Sequence, residues 1–163
     1  MATRASGDVA EITVRTSSAD DTRALAAAVA RLLRPGDLVA LTGPLRAGKT
    51  CFVQGLARGL GVRGPVTSPT FVVIRLHSGP TPLCHVDAYR LRDGQELIEL
   101  GLDDLLEEAV VAVEWAEGVT AALPDGRLDV MLQYCGDGRE LRLRGLGARM
   151  TRVVEQLCEE RAP

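Results

Sequence analysis

The chain has 163 residues, of which 46% are hydrophobic and 25% are charged. This length and composition predict one globular domain over residues 1–163 and exclude a mostly disordered or fibrous chain. The net charge is −3, so the sequence as a whole predicts no membrane association and no stable DNA binding. No apolar run approaches the roughly 18 residues that a membrane-spanning helix needs, so we expect a cytoplasmic protein.

The first third of the chain predicts a strand, a helix and a second strand. Residues 9–14 are typical of a short strand, and residues 19–34 have the apolar spacing of a helix. The continuous apolar run at 38–41 predicts a central parallel strand, because strands buried on both faces are hydrophobic throughout. A loop with two glycines follows, and then a helix that ends at Gly61.

The rest of the chain predicts further strands and an antiparallel hairpin. Three short strands are expected, at residues 71–76, 83–86 and 110–113. A helix over 96–108 separates the last two of them. Alternating residues from 128 to 143 surround a glycine-containing turn and predict a hairpin at the edge of the sheet, followed by a helix near 150–157.

Residues 43–50 match the pattern G-x-x-x-x-G-K-[ST] of a phosphate-binding loop, between the predicted buried strand and the predicted helix that this motif requires. The glycines let backbone N–H groups turn toward a phosphate, Lys49 can reach the β- and γ-phosphates, and the Thr50 hydroxyl can ligate Mg²⁺. Lys49 is the only lysine beside 18 arginines. We therefore predict an α/β, P-loop NTPase-like fold with a mostly parallel sheet flanked by helices. The predicted nucleotide-binding residues here are Gly43, Pro44, Leu45, Arg46, Ala47, Gly48, Lys49, Thr50 and Cys51.

Two acidic residues follow predicted strands, Asp87 after 83–86 and Glu114 after 110–113. An acid at the end of a neighbouring strand can hold Mg²⁺ beside a phosphate loop, and ligands of α/β sheets bind at the carboxyl ends of the strands. Either residue alone could be an ordinary surface carboxylate, but the pair favours a metal-binding role. His85 and Trp115 are better explained by packing or local hydrogen bonding.

The class of nucleotide-binding protein is narrowed by what the sequence lacks. The guanine-reading motif N-K-x-D cannot occur, because the only lysine lies in the phosphate loop. A small-molecule kinase stays open, although no arginine-rich lid segment is evident. A nucleotide-binding regulatory protein without useful turnover is a third alternative.

In their order and spacing, these motifs resemble the TsaE (YjeE) family of bacterial ATPases. The resemblance covers nearly the whole chain and rests on the phosphate loop, on T-S-P-T-F at 67–71, on H-V-D-A-Y-R-L at 85–91 and on Glu114-Trp115. It implies an ATP-binding and ATP-hydrolysing accessory subunit that is required to form threonylcarbamoyladenosine in tRNA. Such a subunit works with the TsaB and TsaD proteins and reaches tRNA only through their complex.

The resemblance also implies a role for each site residue. Thr50 and Glu114 would ligate Mg²⁺, Lys49 and the loop amides would hold the phosphates of ATP, and Asp87 would support hydrolysis. Lys49, Asp87 and Glu114 are thus the predicted catalytic residues. Residues 67–70 would form a switch-like loop near the γ-phosphate. By the same resemblance, the nucleotide-binding residues include Thr22 and Arg139.

The phosphate loop departs from the family pattern at three positions. The family typically has glycine at the position of Arg46, an acidic or polar residue at Pro44, and a second Thr or Ser at Cys51. Pro44 removes a backbone donor, and the Cys51 thiol forms weaker hydrogen bonds than a hydroxyl. We expect nucleotide binding to survive and the Arg46 side chain to project into solvent, although it could instead reach the γ-phosphate.

Overall fold

A computed structural model describes residues 3–5, 8–67 and 73–163 of the protein. The strands are β1 (Thr3–Ala5), β2 (Val9–Thr16), β3 (Leu38–Thr42), β4 (Ile74–His77), β5 (Leu83–Asp87), β6 (Val110–Glu114), β7 (Arg127–Cys135) and β8 (Gly138–Leu146). The α-helices are α1 (Ala19–Ala30), α2 (Lys49–Gly59), α3 (Gly94–Glu99), α4 (Leu102–Glu108) and α5 (Gly147–Arg161). Within the described residues, eight strands form one sheet in the order β1-β2-β8-β7-β3-β6-β5-β4.

The centre of the sheet is parallel. Strand β3 lies between β6 and β7 and pairs in parallel with both, and β5 pairs in parallel with β6. The side chains of β3 alternate between two hydrophobic clusters, with Val39 and Leu41 on one face and Leu38 and Ala40 on the other. This burial on both faces explains the continuous apolar run and confirms the predicted α/β fold with a parallel core.

The β7–β8 hairpin is also confirmed, but its position at the edge of the sheet was wrong. Strand β2 pairs antiparallel along the whole outer side of β8, from Val9 opposite Leu146 to Thr16 opposite Arg139, and β1 lies beyond β2. Chain order could not indicate this pairing, because the N-terminal strand and β8 lie near opposite ends of the sequence.

Several predicted boundaries also shift. Helix α1 ends at Ala30 rather than at residue 34. The single helix predicted over 96–108 is two helices, because Gly101 between them adopts a φ of 90° that ends the helical path. The strand predicted at 71–76 is described as β4, and residues 71 and 72 lie outside the described residues.

Helices α1 and α2 pack directly against each other on one face of the sheet. A Cβ atom at Gly55 would lie 2.3 Å from the Arg23 carbonyl oxygen, and one at Gly59 would lie 2.5 Å from the Ala27 carbonyl oxygen. Glycine at these two positions therefore lets the helices approach closely. Because α2 begins at the phosphate loop, this packing brings the start of α1 beside that loop. Within the described ranges, every helix is too short or too polar to cross a membrane.

Candidate functional site

The phosphate loop connects β3 to α2 and needs glycine at both ends. Gly43 and Gly48 have φ values of 143° and 108°, which L side chains rarely adopt. A Cβ atom at Gly43 would also lie 2.4 Å from the Leu132 carbonyl oxygen of β7. Arg46 adopts a left-handed φ of 64° as well, without being glycine. These angles give the loop a tight path around the start of α2.

Lys49 is the first residue of α2, and its side chain folds back over the loop. Its ammonium group donates to the carbonyl oxygens of Gly43 at 2.6 Å and Pro44 at 2.9 Å. The same nitrogen lies 3.8 Å from the centroid of the Trp115 ring, within the range of a cation–π interaction. Burial lowers the pKa of Lys49, while nearby carboxylates, first among them Glu114, oppose this shift. The Lys49 ammonium is therefore held between two carbonyls of the loop and the Trp115 ring.

Thr50 and Glu114 meet directly, although they are distant in sequence. The Thr50 hydroxyl donates to the two carboxylate oxygens of Glu114 at 3.0 and 3.3 Å. Glu114 is buried, and one of its oxygens lies 2.5 Å from Nε2 of the fully buried His85. Oxygen donors of this kind, few in number and next to a phosphate loop, suit Mg²⁺, which keeps several waters and is bound through one or two carboxylates.

Asp87 lies beside this group. It ends β5 in register with Glu114 at the end of β6, so the two predicted acids are neighbours at the carboxyl ends of parallel strands. The Asp87 carboxylate accepts a hydrogen bond from the Tyr89 backbone N–H at 3.0 Å. The structure thus brings together Lys49, Thr50, Asp87 and Glu114 around one end of the loop.

Thr22 and Arg139, the nucleotide-binding residues predicted outside the loop, lie where the loop faces α1 and the β7–β8 hairpin. A cavity of about 150 Å³ there is lined by residues from α1, the loop and the β7–β8 turn, including Thr22, Arg46, Cys51 and Arg139. Thr22 is buried, and its hydroxyl is 2.8 Å from the Thr16 hydroxyl. Three polar residues that are far apart in sequence, at 22, 51 and 139, therefore share one cavity with the loop.

Arg46 is exposed, as expected from its position in the loop. Of the switch-like segment at 67–70, only Thr67 is described, and its hydroxyl lies 3.5 Å from an Arg75 nitrogen. Residues 68–70 lie outside the described residues.

Sequence reasoning missed several contacts of the site. The Tyr134 hydroxyl donates to the Leu45 carbonyl oxygen, but its place in an alternating strand pattern gives no signal of this role. Trp115 was assigned to packing, yet its ring lies under the Lys49 ammonium and 5.1 Å from the Tyr89 ring. Its position directly after Glu114 could have indicated that contact. Trp115 also has a left-handed φ of 57°, which turns the chain sharply after β6.

The parallel core, the glycine-bounded loop and the acids at the strand ends define a P-loop NTPase-like α/β protein. Comparison with known proteins is more specific. The family model "Threonylcarbamoyl adenosine biosynthesis protein TsaE" matches residues 16–141, and the chain belongs to this family.

Individual relatives agree with this assignment. The chain is 49% identical over 137 residues to a protein of Streptomyces coelicolor named "tRNA threonylcarbamoyladenosine biosynthesis protein TsaE", which covers 78% of this chain and 92% of the relative. A Bacillus subtilis protein of the same name is 41% identical over 149 residues and 90% of each chain. The crystal structure of Bacillus subtilis YdiB is similar with a TM-score of 0.83 and 34% identity, over 94% of this chain and 98% of YdiB.

Proposed function

We propose that this protein binds and hydrolyses ATP as an accessory subunit in the formation of threonylcarbamoyladenosine in tRNA, acting in the cytoplasm with the TsaB and TsaD proteins. The names of its relatives support the pathway. The geometry beside the phosphate loop supports the ATPase activity. The net charge of −3 is also consistent with this role. If partner subunits hold the tRNA, this chain needs little positive charge of its own to bind a phosphate backbone.

The observation that carries this proposal is the contact between Thr50 and Glu114. A hydroxyl from the phosphate-loop motif lies 3.0 Å from a buried carboxylate at the end of a neighbouring strand. A purely structural loop does not require that combination. It is the oxygen donor pair that nucleotide-binding loops use for Mg²⁺.

Each residue then has a defined task. The loop amides and the Lys49 ammonium bind the phosphates, which requires Lys49 to exchange its two loop carbonyls for phosphate oxygens. Thr50 and Glu114 hold Mg²⁺, and Asp87 supports hydrolysis from the adjacent strand end. When bound, Mg²⁺ supplies positive charge that stabilises the charge developing on the phosphate oxygens.

The experiment is to measure Mg²⁺-dependent phosphate release from ATP by the purified chain, alone and with the TsaB and TsaD proteins of the same organism. Lys49→Ala serves as the inactive control, and circular dichroism shows whether that variant is folded. We expect slow hydrolysis by the chain alone, a changed rate with the partners, and a loss of hydrolysis in folded Lys49→Ala.

Two outcomes would reject this proposal. ADP formation that depends on an added small-molecule acceptor would identify a kinase. Tight ATP binding without turnover, even with the partners present, would identify a nucleotide-binding regulatory protein.

A further inference from the structure

The β7–β8 hairpin makes three hydrogen bonds to the backbone of the phosphate loop. The Tyr134 hydroxyl donates to the Leu45 carbonyl oxygen. The Arg139 guanidinium donates to the carbonyl oxygens of Ala47 and Arg46, each at 3.2 Å. One neighbouring structural element therefore binds three consecutive carbonyls of the loop.

Tyr134 and Arg139 also support each other. They face one another across the two strands of the hairpin, and the Arg139 guanidinium carbon lies 4.6 Å from the centroid of the Tyr134 ring. Arg139 is further fixed by a bond to the Gly138 carbonyl oxygen at 2.8 Å. Contacts within the hairpin therefore help to position both side chains against the loop.

With these bonds, every carbonyl from residue 43 to residue 47 accepts a hydrogen bond. Lys49 occupies those of Gly43 and Pro44, and Pro44 also accepts from the Ala47 N–H at 3.1 Å. The hairpin occupies the other three. The hydrogen-bonding capacity of the loop that remains for a ligand is thus mainly that of donors.

The direction of these bonds determines the direction of the loop amides. In a planar trans peptide the carbonyl oxygen and the following N–H point to opposite sides. Holding the oxygens of Leu45 and Ala47 against the hairpin turns the N–H groups of Arg46 and Gly48 away from it. Inward-turned N–H groups are what a loop of this type offers to a phosphate.

The backbone of Arg46 gives a second, independent indication of this constraint. A non-glycine residue with a φ of 64° is held in a conformation that L residues disfavour. Such conformations persist where the surrounding structure fixes them. Here the Arg46 carbonyl is bound by Arg139, and the two flanking carbonyls are bound by Tyr134 and Arg139.

We propose that Tyr134 and Arg139 are positioning residues that pre-organise the phosphate loop, so that its amides face the phosphates before the nucleotide binds. This inference rests on the proposed nucleotide-binding function. The cost of ordering the loop is met during folding and not during binding, which increases affinity. Both residues act through the loop backbone and need not touch the ligand.

The test measures the affinity of Tyr134→Phe and Arg139→Gln for ADP and for inorganic tripolyphosphate. Tyr134→Phe keeps the ring and removes one hydrogen bond, so we expect about fivefold weaker binding. Arg139→Gln removes two bonds from a charged donor, and we expect about 30-fold weaker binding. For each variant, the fold-loss of affinity should be the same for ADP and for tripolyphosphate, because the substitution alters the loop that binds the phosphates.

Arg142→Gln is the matched control. Arg142 lies on the same strand and pairs with Glu11 at 3.5 Å, and the affinities of this variant should stay within about twofold of wild type.

A second readout uses the protein without nucleotide. Backbone ¹⁵N relaxation should show lower order for amides 45–48 in both variants and unchanged order in β3. Thermal midpoints confirm that each variant is folded, and if Arg139→Gln does not fold, Tyr134→Phe carries the test.

Unchanged loop order, or unchanged tripolyphosphate affinity in both variants, would overturn the proposal. A loss of ADP affinity alone would also overturn it, because Arg139 would then contact the nucleoside. If the wild-type chain binds neither ligand, the proposed function fails, and the relaxation data still decide whether the hairpin orders the loop.

Discussion

The two sides of the phosphate loop are built differently. On one side, buried charged groups from parallel strands and α2 converge, with Glu114 between Thr50 and His85. On the other side, an antiparallel hairpin and the start of α1 surround a small cavity, and side chains of the hairpin bind backbone carbonyls of the loop. Under the proposed function, the first side supplies the groups for chemistry on phosphates, and the second supplies groups that shape the loop and receive the rest of the nucleotide. The comparison predicts that substitutions on the first side reduce turnover most, while those on the second mainly reduce affinity.

The largest effect is expected for Glu114→Gln, which removes the negative charge but keeps the size of the side chain. We expect hydrolysis in the presence of the partner proteins to fall by about 100-fold or more, because a developing charge loses its metal-mediated stabilisation. The thermal midpoint should change little, since the Gln oxygen can still accept a hydrogen bond from His85 and its NH2 group can donate to the Thr50 hydroxyl oxygen. Activity close to wild type in a folded variant would contradict the proposed role of Glu114 in holding Mg²⁺.

A smaller loss is expected for His85→Ala. His85 contacts the Glu114 carboxylate and is completely buried, so its removal frees that carboxylate to rotate. Hydrogen-bond partners of metal ligands typically contribute 10- to 100-fold in affinity or activity, and we expect a change of about 10-fold in the Mg²⁺ concentration for half-maximal hydrolysis.

The conservative variant His85→Gln separates positioning from packing. Its side-chain amide can donate to Glu114 in place of Nε2, so we expect most of the Mg²⁺ dependence to be restored. If His85→Gln is as impaired as His85→Ala while both are folded, the hydrogen bond to Glu114 is not what matters.

On the cavity side, Thr22→Val should have a moderate effect. The substitution keeps the shape of the buried side chain but removes the hydroxyl that lies 2.8 Å from the Thr16 hydroxyl. Because this hydrogen bond is lost, we expect the free energy of unfolding to fall by about 1 kcal/mol. Because Thr22 lines the cavity, ATP affinity should fall a few-fold with little change in kcat. Thr13→Val, at an exposed position on β2, is the control. A large drop in kcat with unchanged KM would contradict the division between the two sides.

The smallest effect is expected for Arg46→Gly. The side chain is exposed, and glycine adopts the observed φ of 64° without strain. We expect the ATP affinity to stay within about threefold and the thermal midpoint to stay equal or rise slightly. A complete loss of binding, measured by titration calorimetry, would show that the guanidinium contacts the ligand.

Much of the first side of the loop was predictable, because its residues are in motifs. The G-x-x-x-x-G-K-T sequence fixes the loop, and the apolar runs before Asp87 and Glu114 place both acids at strand ends. The parallel register then brings these ends together, as the pairing of Asp87 with Glu114 confirms. The buried contact between His85 and Glu114 was not predicted, because a histidine within an apolar strand is equally compatible with simple packing.

The hairpin side was less predictable. Tyr134 looks like any residue of an alternating strand, and its contact with the loop depends on where the hairpin lies in the sheet. The sequence predicted the hairpin at the edge of the sheet, and this position was wrong, because β2 pairs with β8 on its outer side and leads into α1.

The prediction of a single helix over 96–108 was wrong for a local reason. Gly101 adopts a left-handed conformation that separates α3 from α4.

The sequence by itself determined the class of fold, the phosphate loop and the acids that follow the central strands, because these depend on hydrophobic periodicity and on residues adjacent in the chain. Only the tertiary structure decided how the loop is oriented. Its carbonyls are bound by side chains of a hairpin about 90 residues away in sequence, at separations of 89 to 93 positions. Contacts at such separations are set by strand order and register, which no local pattern of residues encodes.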